Sequence, residues 1–226
     1  MGVPQVFLRL CGCNLRCSYC DTPEARERVD DFRVYGWERG HEIISNPIEA
    51  RAVSRLLHSL WSPSMHSISL TGGEPLLQAE ELARLLPLLK DKGMPVYLET
   101  NGTLYDALET VLPWIDFIAM DVKLPSSQGG EDFMEEHRRF LRNGRSKHTF
   151  LKAVVNAETK EKELERACHV LGGEAKDITL VLQPATPIQG EGRMTARRAA
   201  ELCTIAAAYF SDVRVIPQAH RIWGVK

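Results

Sequence analysis

Four of the six cysteines lie within ten residues near the amino terminus: Cys11, Cys13, Cys17 and Cys20. Clustered thiols in a chain of 226 residues favour a metal site over the disulfide framework of a short secreted protein. The spacing Cys13-x3-Cys17-x2-Cys20 supplies three thiolates, which leaves one position open on an ion or cluster that needs four ligands. An open position is what a metal centre needs in order to bind a substrate or cofactor.

Two other interpretations of these thiols stay open. Cys11 could be the fourth ligand of a structural zinc ion or of an electron-transfer cluster, although only Gly12 separates it from Cys13. The chain could also be a metal-binding module without catalytic activity. The isolated Cys168 and Cys203 fall on apolar helical stripes, so we expect them to be small core residues.

Short β-rich runs alternate with helical periodicity along the chain. The predicted strands are Gln5–Leu10, His66–Leu70, Pro95–Glu99, Phe117–Val122, Thr149–Val155, Ile178–Leu182 and Val213–Ile216. The apolar stripes of four helices are Val53/Leu56/Leu57/Leu60, Leu82/Leu85/Leu86/Leu89, Leu164/Ala167/Cys168/Leu171 and Ala199/Leu202/Cys203/Ala206. This alternation predicts a parallel sheet with crossover helices. Glu131–Leu141 is predicted to be a further helix, and the polar stretch Pro23–Ser45 a long loop or small insertion.

Polar residues follow the predicted strands at their carboxyl ends. They include Thr71-Gly72-Gly73-Glu74-Pro75, Glu99-Thr100-Asn101-Gly102, Asp121 with Lys123, Asn156, Gln183-Pro184 and Pro217-Gln218-Ala219-His220. In β/α barrels and other parallel sheets, this edge is where active sites are built. The sequence therefore predicts an enzyme rather than a structural protein.

The composition is that of an ordinary globular protein, with 44% hydrophobic residues, 26% charged residues and a formal net charge of −2. No basic excess predicts a nucleic-acid or membrane partner. The longest apolar stretch, 202–210, is far shorter than the roughly 20 residues of a membrane span. The amino terminus lacks the order of basic and apolar regions found in a signal peptide. We expect a cytoplasmic protein with a single domain over residues 1–226.

The cysteine spacing followed by Gly72-Gly73-Glu74 resembles the radical S-adenosylmethionine superfamily. Residues 6–15, 17–22, 71–78, 99–103, 182–184 and 217–221 resemble one family within it, the 7-carboxy-7-deazaguanine synthases. The resemblance implies an α/β fold, a partial (incomplete) TIM-like β/α barrel with a radical S-adenosylmethionine core. It implies a ring-contraction lyase that converts 6-carboxy-5,6,7,8-tetrahydropterin to 7-carboxy-7-deazaguanine with release of ammonia, in queuosine biosynthesis. A radical S-adenosylmethionine activating enzyme for a glycyl-radical partner protein is the alternative, which Asp21-Thr22 and Gln218–His220 do not fit.

The resemblance also implies roles for particular residues. Cys13, Cys17 and Cys20 would hold a 4Fe–4S cluster, and Thr22 would bind Mg²⁺. The residues around S-adenosylmethionine would be Tyr19, Asp21, Gly73, Glu74, Asp121, Lys123 and Gln183. Those around the pterin would be Arg9, Thr71, Glu99, Asn101, Gln218 and His220. The implied partners are a flavodoxin- or ferredoxin-type reductant and a second copy of the chain in a homodimer.

Simpler roles stay open for several of these residues. They are a strand-end cap for Arg9, a helix cap for Thr22 before Pro23, a surface ion pair for Asp121 with Lys123, a turn for Glu99 and Asn101, and exposed positions for Gln218 and His220. The chain also departs from the family at both ends. A QGEG-type substrate loop is expected before residues 2–6 and is missing, which favours a start assigned too late over a truncated variant. The same tetrapeptide at 189–192 is expected to be a coincidental turn, and Lys226 replaces the terminal proline of many relatives.

Overall fold

The computed structural model describes residues 2–36, 40–185 and 194–218. The chain divides into two compact units, each made of strands and helices. The first consists of Met1–Asn14, Asp21–Thr100 and Asp106–Phe117, and the second of Leu15–Cys20, Asn101–Tyr105 and Ile118–Lys226. None of the helices within the described ranges has the length and apolar character that crossing a membrane requires.

The first unit contains a parallel three-stranded arrangement and an antiparallel hairpin. Its strands are β1 (Gln5–Leu10), β2 (Asp31–Val34), β3 (Glu42–Ser45), β4 (Ser67–Gly72) and β5 (Val96–Thr100). Its helices are α1 (Ala50–Leu60), α2 (Ala79–Lys90) and most of α3 (Tyr105–Val111), with 3-10 turns at Pro23–Arg26, Pro75–Gln78 and Leu112–Trp114. β1 pairs with β4 and β4 with β5, both in parallel, whereas β2 and β3 pair with each other. The described residues of the stretch Pro23–Ser45 therefore form a small insertion built around the pair β2 and β3.

Strand periodicity decides which side chains of the first unit face the candidate site. In β5, Val96 and Leu98 are fully buried, whereas Tyr97 and Glu99 are only half-buried. In β1, Val6 is buried and Arg9 is exposed. Successive side chains of a strand point to opposite faces, so Arg9 and Glu99 lie on the more open face of β1 and β5, whereas Thr71 belongs to β4 and is buried. The opposite face is apolar, as is the buried stripe of α2 formed by Leu82, Leu85, Leu86 and Leu89.

The second unit is also an α/β arrangement. Its strands are most of β6 (Phe117–Val122), β7 (His148–Val155), β8 (Leu180–Pro184) and β9 (Val213–Val215), in that spatial order. β7 pairs with β8 and β8 with β9, both in parallel. Its helices are α4 (Met134–Gly144), α5 (Glu161–Ala175) and α6 (Ala196–Ala207), with a 3-10 turn at Pro125–Ser127. The stripe of α5 formed by Leu164, Ala167, Cys168 and Leu171 is buried, as helical spacing predicted.

All seven predicted strands are present, β1 and β6 with identical bounds, and the predicted helix at Glu131–Leu141 begins three residues later as α4. Within the described ranges, β1 has β4 as its one sheet neighbour and β9 has β8, so the strands do not close a barrel. The prediction of an α/β fold with an incomplete barrel is confirmed. Cys168 is a core residue, and burial raises the pKa of its thiol to about 12. Cys203 is only half-buried, at the edge of its helical stripe.

Candidate active site

Three predicted substrate residues lie side by side at the carboxyl ends of β1, β4 and β5. Arg9 is the register partner of Thr71, and the Thr71 hydroxyl donates a hydrogen bond of 3.1 Å to Oε2 of Glu99. Arg9 is exposed and Glu99 is half-buried. A guanidinium, a hydroxyl and a carboxylate in one row can bind a ligand that carries both an anionic group and N–H donors.

The Gly72-Gly73 turn after β4 packs against the backbone of the cysteine loop. The Gly73 amide donates to the Leu10 carbonyl at 3.0 Å, and the Glu74 amide donates to the Gly12 carbonyl at 2.7 Å. A Cβ on Gly73 would lie 1.9 Å from the Gly12 carbonyl oxygen, so no side chain fits there. The diglycine thus lets the end of β4 approach the loop that carries the motif cysteines. The predicted contact of Gly73 with S-adenosylmethionine stays a prediction.

Glu74 is fully buried and joins the turn after β4 to the end of β5. Its Oε1 accepts hydrogen bonds from the Leu76 amide at 3.1 Å and from the Thr100 hydroxyl at 2.9 Å. Gln78 adds a second link, since its Nε2 donates to the Cys11 carbonyl at 2.8 Å. Glu74 therefore has a supporting role in the loop, and its predicted contact with the cofactor is not tested by these contacts.

The motif cysteines are half-buried, and none of the six cysteines forms a disulfide. The Cys20 amide donates to the Cys17 carbonyl at 3.2 Å, which places these two residues in one turn. Over the described residues, no three His, Cys, Asp or Glu side chains converge as the ligands of a single metal ion would. The ligands of a 4Fe–4S cluster each bind a different iron, so that arrangement is not required of them. Three half-buried thiols with no disulfide match the donor chemistry of such a cluster.

Thr22 occupies the position before the 3-10 turn Pro23–Arg26, yet its side chain makes no capping hydrogen bond. Thr22 therefore stands at the cap position, as its simpler interpretation predicted, but its hydroxyl does not cap the turn. Thr22 is half-buried and Asp21, next to it, is exposed. A hydroxyl oxygen is the type of ligand that Mg²⁺ accepts.

In the second unit, Tyr19, Asp121 and Lys123 lie together, and their contact with S-adenosylmethionine stays a prediction. The Nζ of Lys123 lies 2.8 Å from Oδ2 of Asp121 and 3.4 Å from the Tyr19 hydroxyl, and 5.3 Å from the centre of the tyrosine ring. Lys123 is only 6% exposed, so the alternative of a surface ion pair is wrong. Lys152 of β7, for which the sequence predicted no role, places its Nζ 3.5 Å from the same Asp121 oxygen. The signal for Lys152 in the sequence is its position as a charged residue within the apolar run of β7.

Burial and charge oppose each other in this group of four residues, which we call the Asp121 cluster (Tyr19, Asp121, Lys123 and Lys152). Burial favours the neutral acid, but Lys123 and Lys152 outweigh it and hold the pKa of Asp121 below its usual value. Burial likewise disfavours the ammonium, but Asp121 outweighs it and raises the pKa of Lys123 well above its usual value. Burial raises the pKa of Tyr19 to about 12, against the effect of Lys123. Two ammonium groups around one carboxylate leave an excess positive charge that can attract an anionic ligand.

Asn101 forms a turn, as its simpler interpretation predicted. Its Oδ1 accepts hydrogen bonds from the Thr103 amide at 3.0 Å and from the Thr103 hydroxyl at 2.7 Å. The carbonyl of Asn101 lies 3.0 Å from Nε2 of His137, a fully buried residue of α4. His137 carries no signal of such a role in the sequence, because it lies in the charged run Glu135–Arg139. Contact of Asn101 with a substrate stays a prediction.

The remaining candidates lie near strand ends. Gln183 is the register partner of Val154 near the end of β8. Gln183 and Gln218 are each 9% exposed, so Gln218 is not an exposed residue. His220, the tetrapeptide at 189–192 and Lys226 lie outside the described residues.

Residues 9–174 match the Radical SAM superfamily, so the fold and the cysteine motif define a radical S-adenosylmethionine enzyme. A crystal structure of Streptococcus suis SuiB bound to S-adenosylmethionine has a similar fold, with a TM-score of 0.63 and 14% sequence identity. The similarity covers 95% of this chain and 48% of SuiB, so this chain corresponds to about half of that protein.

Two curated relatives are much more similar in sequence. The 7-carboxy-7-deazaguanine synthase of Geobacter sulfurreducens is 40% identical over 99% of this chain and 91% of its own length. That of Thermococcus kodakarensis is 34% identical over 83% of this chain and 77% of its own length. The chain belongs to the family of 7-carboxy-7-deazaguanine synthases. These relatives favour this family over the alternative of a glycyl-radical activating enzyme.

Proposed function

We propose that the protein is a carbon–nitrogen lyase that converts 6-carboxy-5,6,7,8-tetrahydropterin to 7-carboxy-7-deazaguanine with release of ammonia. The observation that carries the proposal is the 40% identity to a 7-carboxy-7-deazaguanine synthase over 99% of the chain. The row of Arg9, Thr71 and Glu99 supports it, because its chemistry matches a ring with N–H donors and a carboxylate substituent. With this product, we propose a role for the enzyme in 7-deazapurine and queuosine biosynthesis, and so in tRNA modification.

The substrate would bind along this row, and different residues of the row would bind its two ends. The Arg9 guanidinium would bind the substrate carboxylate, since it offers parallel N–H donors. Glu99 would accept hydrogen bonds from the N–H donors of the pyrimidine ring. Thr71 would orient Glu99, because its hydroxyl already donates to one Glu99 oxygen at 3.1 Å. We include Asn101, Gln218 and His220 among the residues that surround the substrate.

Cys13, Cys17 and Cys20 would hold a 4Fe–4S cluster. When bound, the cluster and S-adenosylmethionine supply a radical that can remove a hydrogen atom from the substrate. The Asp121 cluster would bind S-adenosylmethionine, because its excess positive charge and its carboxylate suit a zwitterionic ligand with hydroxyl groups. Other residues proposed to surround this cofactor are Asp21, Gly73, Glu74 and Gln183. The protein's own part is to orient both ligands and exclude water from them.

Thr22 would bind a Mg²⁺ ion through its hydroxyl, together with the substrate carboxylate. The support is that this half-buried hydroxyl makes no capping hydrogen bond, which leaves the oxygen available to a hard cation. The ion would fix the carboxylate in one orientation and neutralise part of its charge, which is a template and Lewis-acid role.

A radical reaction of this type requires a one-electron donor, which we propose to be a flavodoxin- or ferredoxin-type protein. We also propose that the chain acts as a single domain within a homodimer in the cytoplasm.

The decisive experiment is an anaerobic assay of reconstituted protein with S-adenosylmethionine, dithionite, Mg²⁺ and 6-carboxytetrahydropterin, read by mass spectrometry. We expect 7-carboxy-7-deazaguanine from the natural sequence and none from Cys17→Ala. Cys11→Ala is the matched control, and it should keep both iron and product if Cys11 is not a ligand. Cleavage of S-adenosylmethionine without this product would contradict the proposed substrate. Absence of cleavage at full iron content would contradict the radical reaction itself.

A further inference from the structure

A buried histidine lies between two backbone segments that carry proposed ligand residues. The Nε2 of His137 lies 3.0 Å from the carbonyl oxygen of Asn101 and 3.5 Å from the backbone nitrogen of Lys123. Asn101 directly follows β5, and Lys123 directly follows β6. One ring nitrogen of a fully buried side chain therefore contacts the backbone at both positions.

The two contacts need opposite positions of the ring hydrogen. Nε2 can donate to the Asn101 carbonyl or accept from the Lys123 amide, but not both. The 3.0 Å distance is that of a normal N–H···O hydrogen bond, whereas 3.5 Å is beyond the usual range. Nδ1 is buried with no hydrogen-bond partner in the described part of the structure. A hydrogen on Nδ1 would thus leave a buried N–H without an acceptor, so the hydrogen belongs on Nε2.

The turn after β5 also packs directly on this ring. Gly102 has φ +69°, and a Cβ there would lie 3.0 Å from Cδ2 of His137 and 2.6 Å from Cγ of Met120. The turn is held internally by the two hydrogen bonds from Thr103 to the Asn101 side chain. A turn that is rigid within itself moves as one piece, so its location depends on the surface against which it rests. The imidazole of His137 is part of that surface.

We propose that His137 is a positioning residue: its neutral Nε2–H form holds the turn 101–103 by a hydrogen bond to the Asn101 carbonyl, and its ring packs against the backbone of Lys123 without a hydrogen bond to it. Asn101 and Lys123 are thereby held in place, although His137 touches neither ligand. What these two residues bind rests on the proposed function, but the contact itself does not. The sequence alone gave no reason to select His137.

Three variants separate the hydrogen bond from the volume of the ring. His137→Gln carries an amide nitrogen near the place of Nε2, so it can still donate to the Asn101 carbonyl. His137→Asn ends near the place of Nδ1 and cannot reach it, and His137→Leu supplies only apolar volume. In reconstituted enzyme we expect Gln to keep kcat/KM within about threefold, and Asn and Leu to lower it by about fivefold or more, mainly through KM. Fivefold corresponds to the net loss of one hydrogen bond.

Chemical unfolding of the same variants tests the alternative that His137 only stabilises the fold. In that case all three variants would be less stable than the natural protein, and their KM values for pterin and S-adenosylmethionine would be unchanged. Such a result, or equal kcat/KM for Gln and Asn, would overturn the proposal. If the natural protein makes no deazaguanine product, the proposed function fails. The KM values of the His137 variants for S-adenosylmethionine cleavage then still test whether His137 positions the site.

A measurement on the natural protein makes the test independent of variant folding. Nitrogen-15 NMR of histidine-labelled holoenzyme, with the cluster oxidised, reports the tautomer of the signal that His137→Gln removes. Burial lowers the pKa of His137 to about 4, with Lys123 acting in the same direction and the Asn101 carbonyl, Asp121 and Asp132 against it. We expect an Nε2–H pattern that does not change between pH 5.5 and 8.5. An Nδ1–H pattern, or titration within this range, would overturn the proposal.

Discussion

The Nζ of Lys123 and the Oδ2 of Asp121 lie 2.8 Å apart, and their side chains are only 8% and 17% exposed. Lys152 approaches the same oxygen at 3.5 Å, so one carboxylate oxygen serves two ammonium groups. The other oxygen, Oδ1, is buried without a hydrogen-bond partner in the described ranges. In such a poorly hydrated place, each charge depends on the others for stabilisation. Asp121 is the member on which both lysines depend.

Asp121→Asn should destabilise the fold strongly, because it leaves two partly buried ammonium groups without their counter-ion. Loss of one partner of a buried ion pair costs about 3–5 kcal/mol, and some residual exposure here favours the lower end. Asp177→Asn is the control, since Asp177 is exposed, and its effect should stay within about 0.5 kcal/mol. Urea unfolding at pH 7 measures both. Equal stability of the two variants would show that the Asp121 cluster is not held together by charge.

The ion pair of Asp121 and Lys123 also predicts how the free energy of unfolding changes with pH. The pKa of Asp121 is lowered in the folded state, so its stabilising effect is complete above the unfolded value of about 3.9. It is lost as the pH falls through the folded pKa, because protonation then neutralises the carboxylate in both states. The stability difference between the natural protein and Asp121→Asn should therefore be constant from pH 6 to 8 and shrink below about pH 4. A difference that grows on acidification would contradict the lowered pKa.

The fold was predictable because its signals are local. The alternation of buried and less buried residues in β5 and the leucine stripe of α2 belong to single elements, and both appear as predicted. The row of Arg9, Thr71 and Glu99 was also predictable from the sequence, since parallel strands bring their carboxyl ends to one edge of the sheet. The hairpin of β2 and β3 was not, because each strand has only four residues and the alternation in Asp31–Val34 is too short to stand out in a polar stretch.

The supporting contacts of the site were not predictable, because they join residues far apart in sequence. Lys152 approaches Asp121 only through the placement of β7 beside β6. His137 meets Asn101 across 36 residues, and Glu74 meets Thr100 across 26. No periodicity or motif encodes such pairs. The residues proposed to bind ligands were therefore predictable from the sequence, whereas the residues that hold them in place are visible only in the structure.

Gly73→Ala should disturb the cysteine loop, because the new methyl group would meet the Gly12 carbonyl at 1.9 Å. We expect a loss of stability at or above about 3 kcal/mol and less iron bound per chain after reconstitution. Gly173→Ala is the matched control, since a Cβ there meets nothing within 4 Å. That change in α5 should stabilise the helix by up to about 1 kcal/mol. Normal iron content and stability in Gly73→Ala would refute the close approach of the turn to the loop.

Thr100→Val should weaken the link between the end of β5 and the turn after β4. It keeps the shape of the side chain but removes the donor that lies 2.9 Å from the buried Glu74 carboxylate. A hydrogen bond to a charged group contributes about 1.5–3 kcal/mol, which is the expected loss in denaturant unfolding. Thr100→Ser keeps the donor and loses one methyl group, so it should cost only about 1 kcal/mol. A larger loss for Ser than for Val would mean that apolar packing, not the hydrogen bond, is the main role of Thr100.

Thr22→Val separates metal binding from folding, because the Thr22 hydroxyl makes no capping hydrogen bond. The free energy of unfolding should change by less than about 0.5 kcal/mol. The Mg²⁺ concentration for half-maximal product formation should rise by about tenfold or more, since one oxygen ligand of the ion is removed. Thr22→Ser retains the oxygen and should keep the Mg²⁺ requirement within about threefold. If Val and Ser variants respond to Mg²⁺ alike, the hydroxyl is not a ligand. If Val alone lowers stability, the hydroxyl instead supports the turn that begins at Pro23.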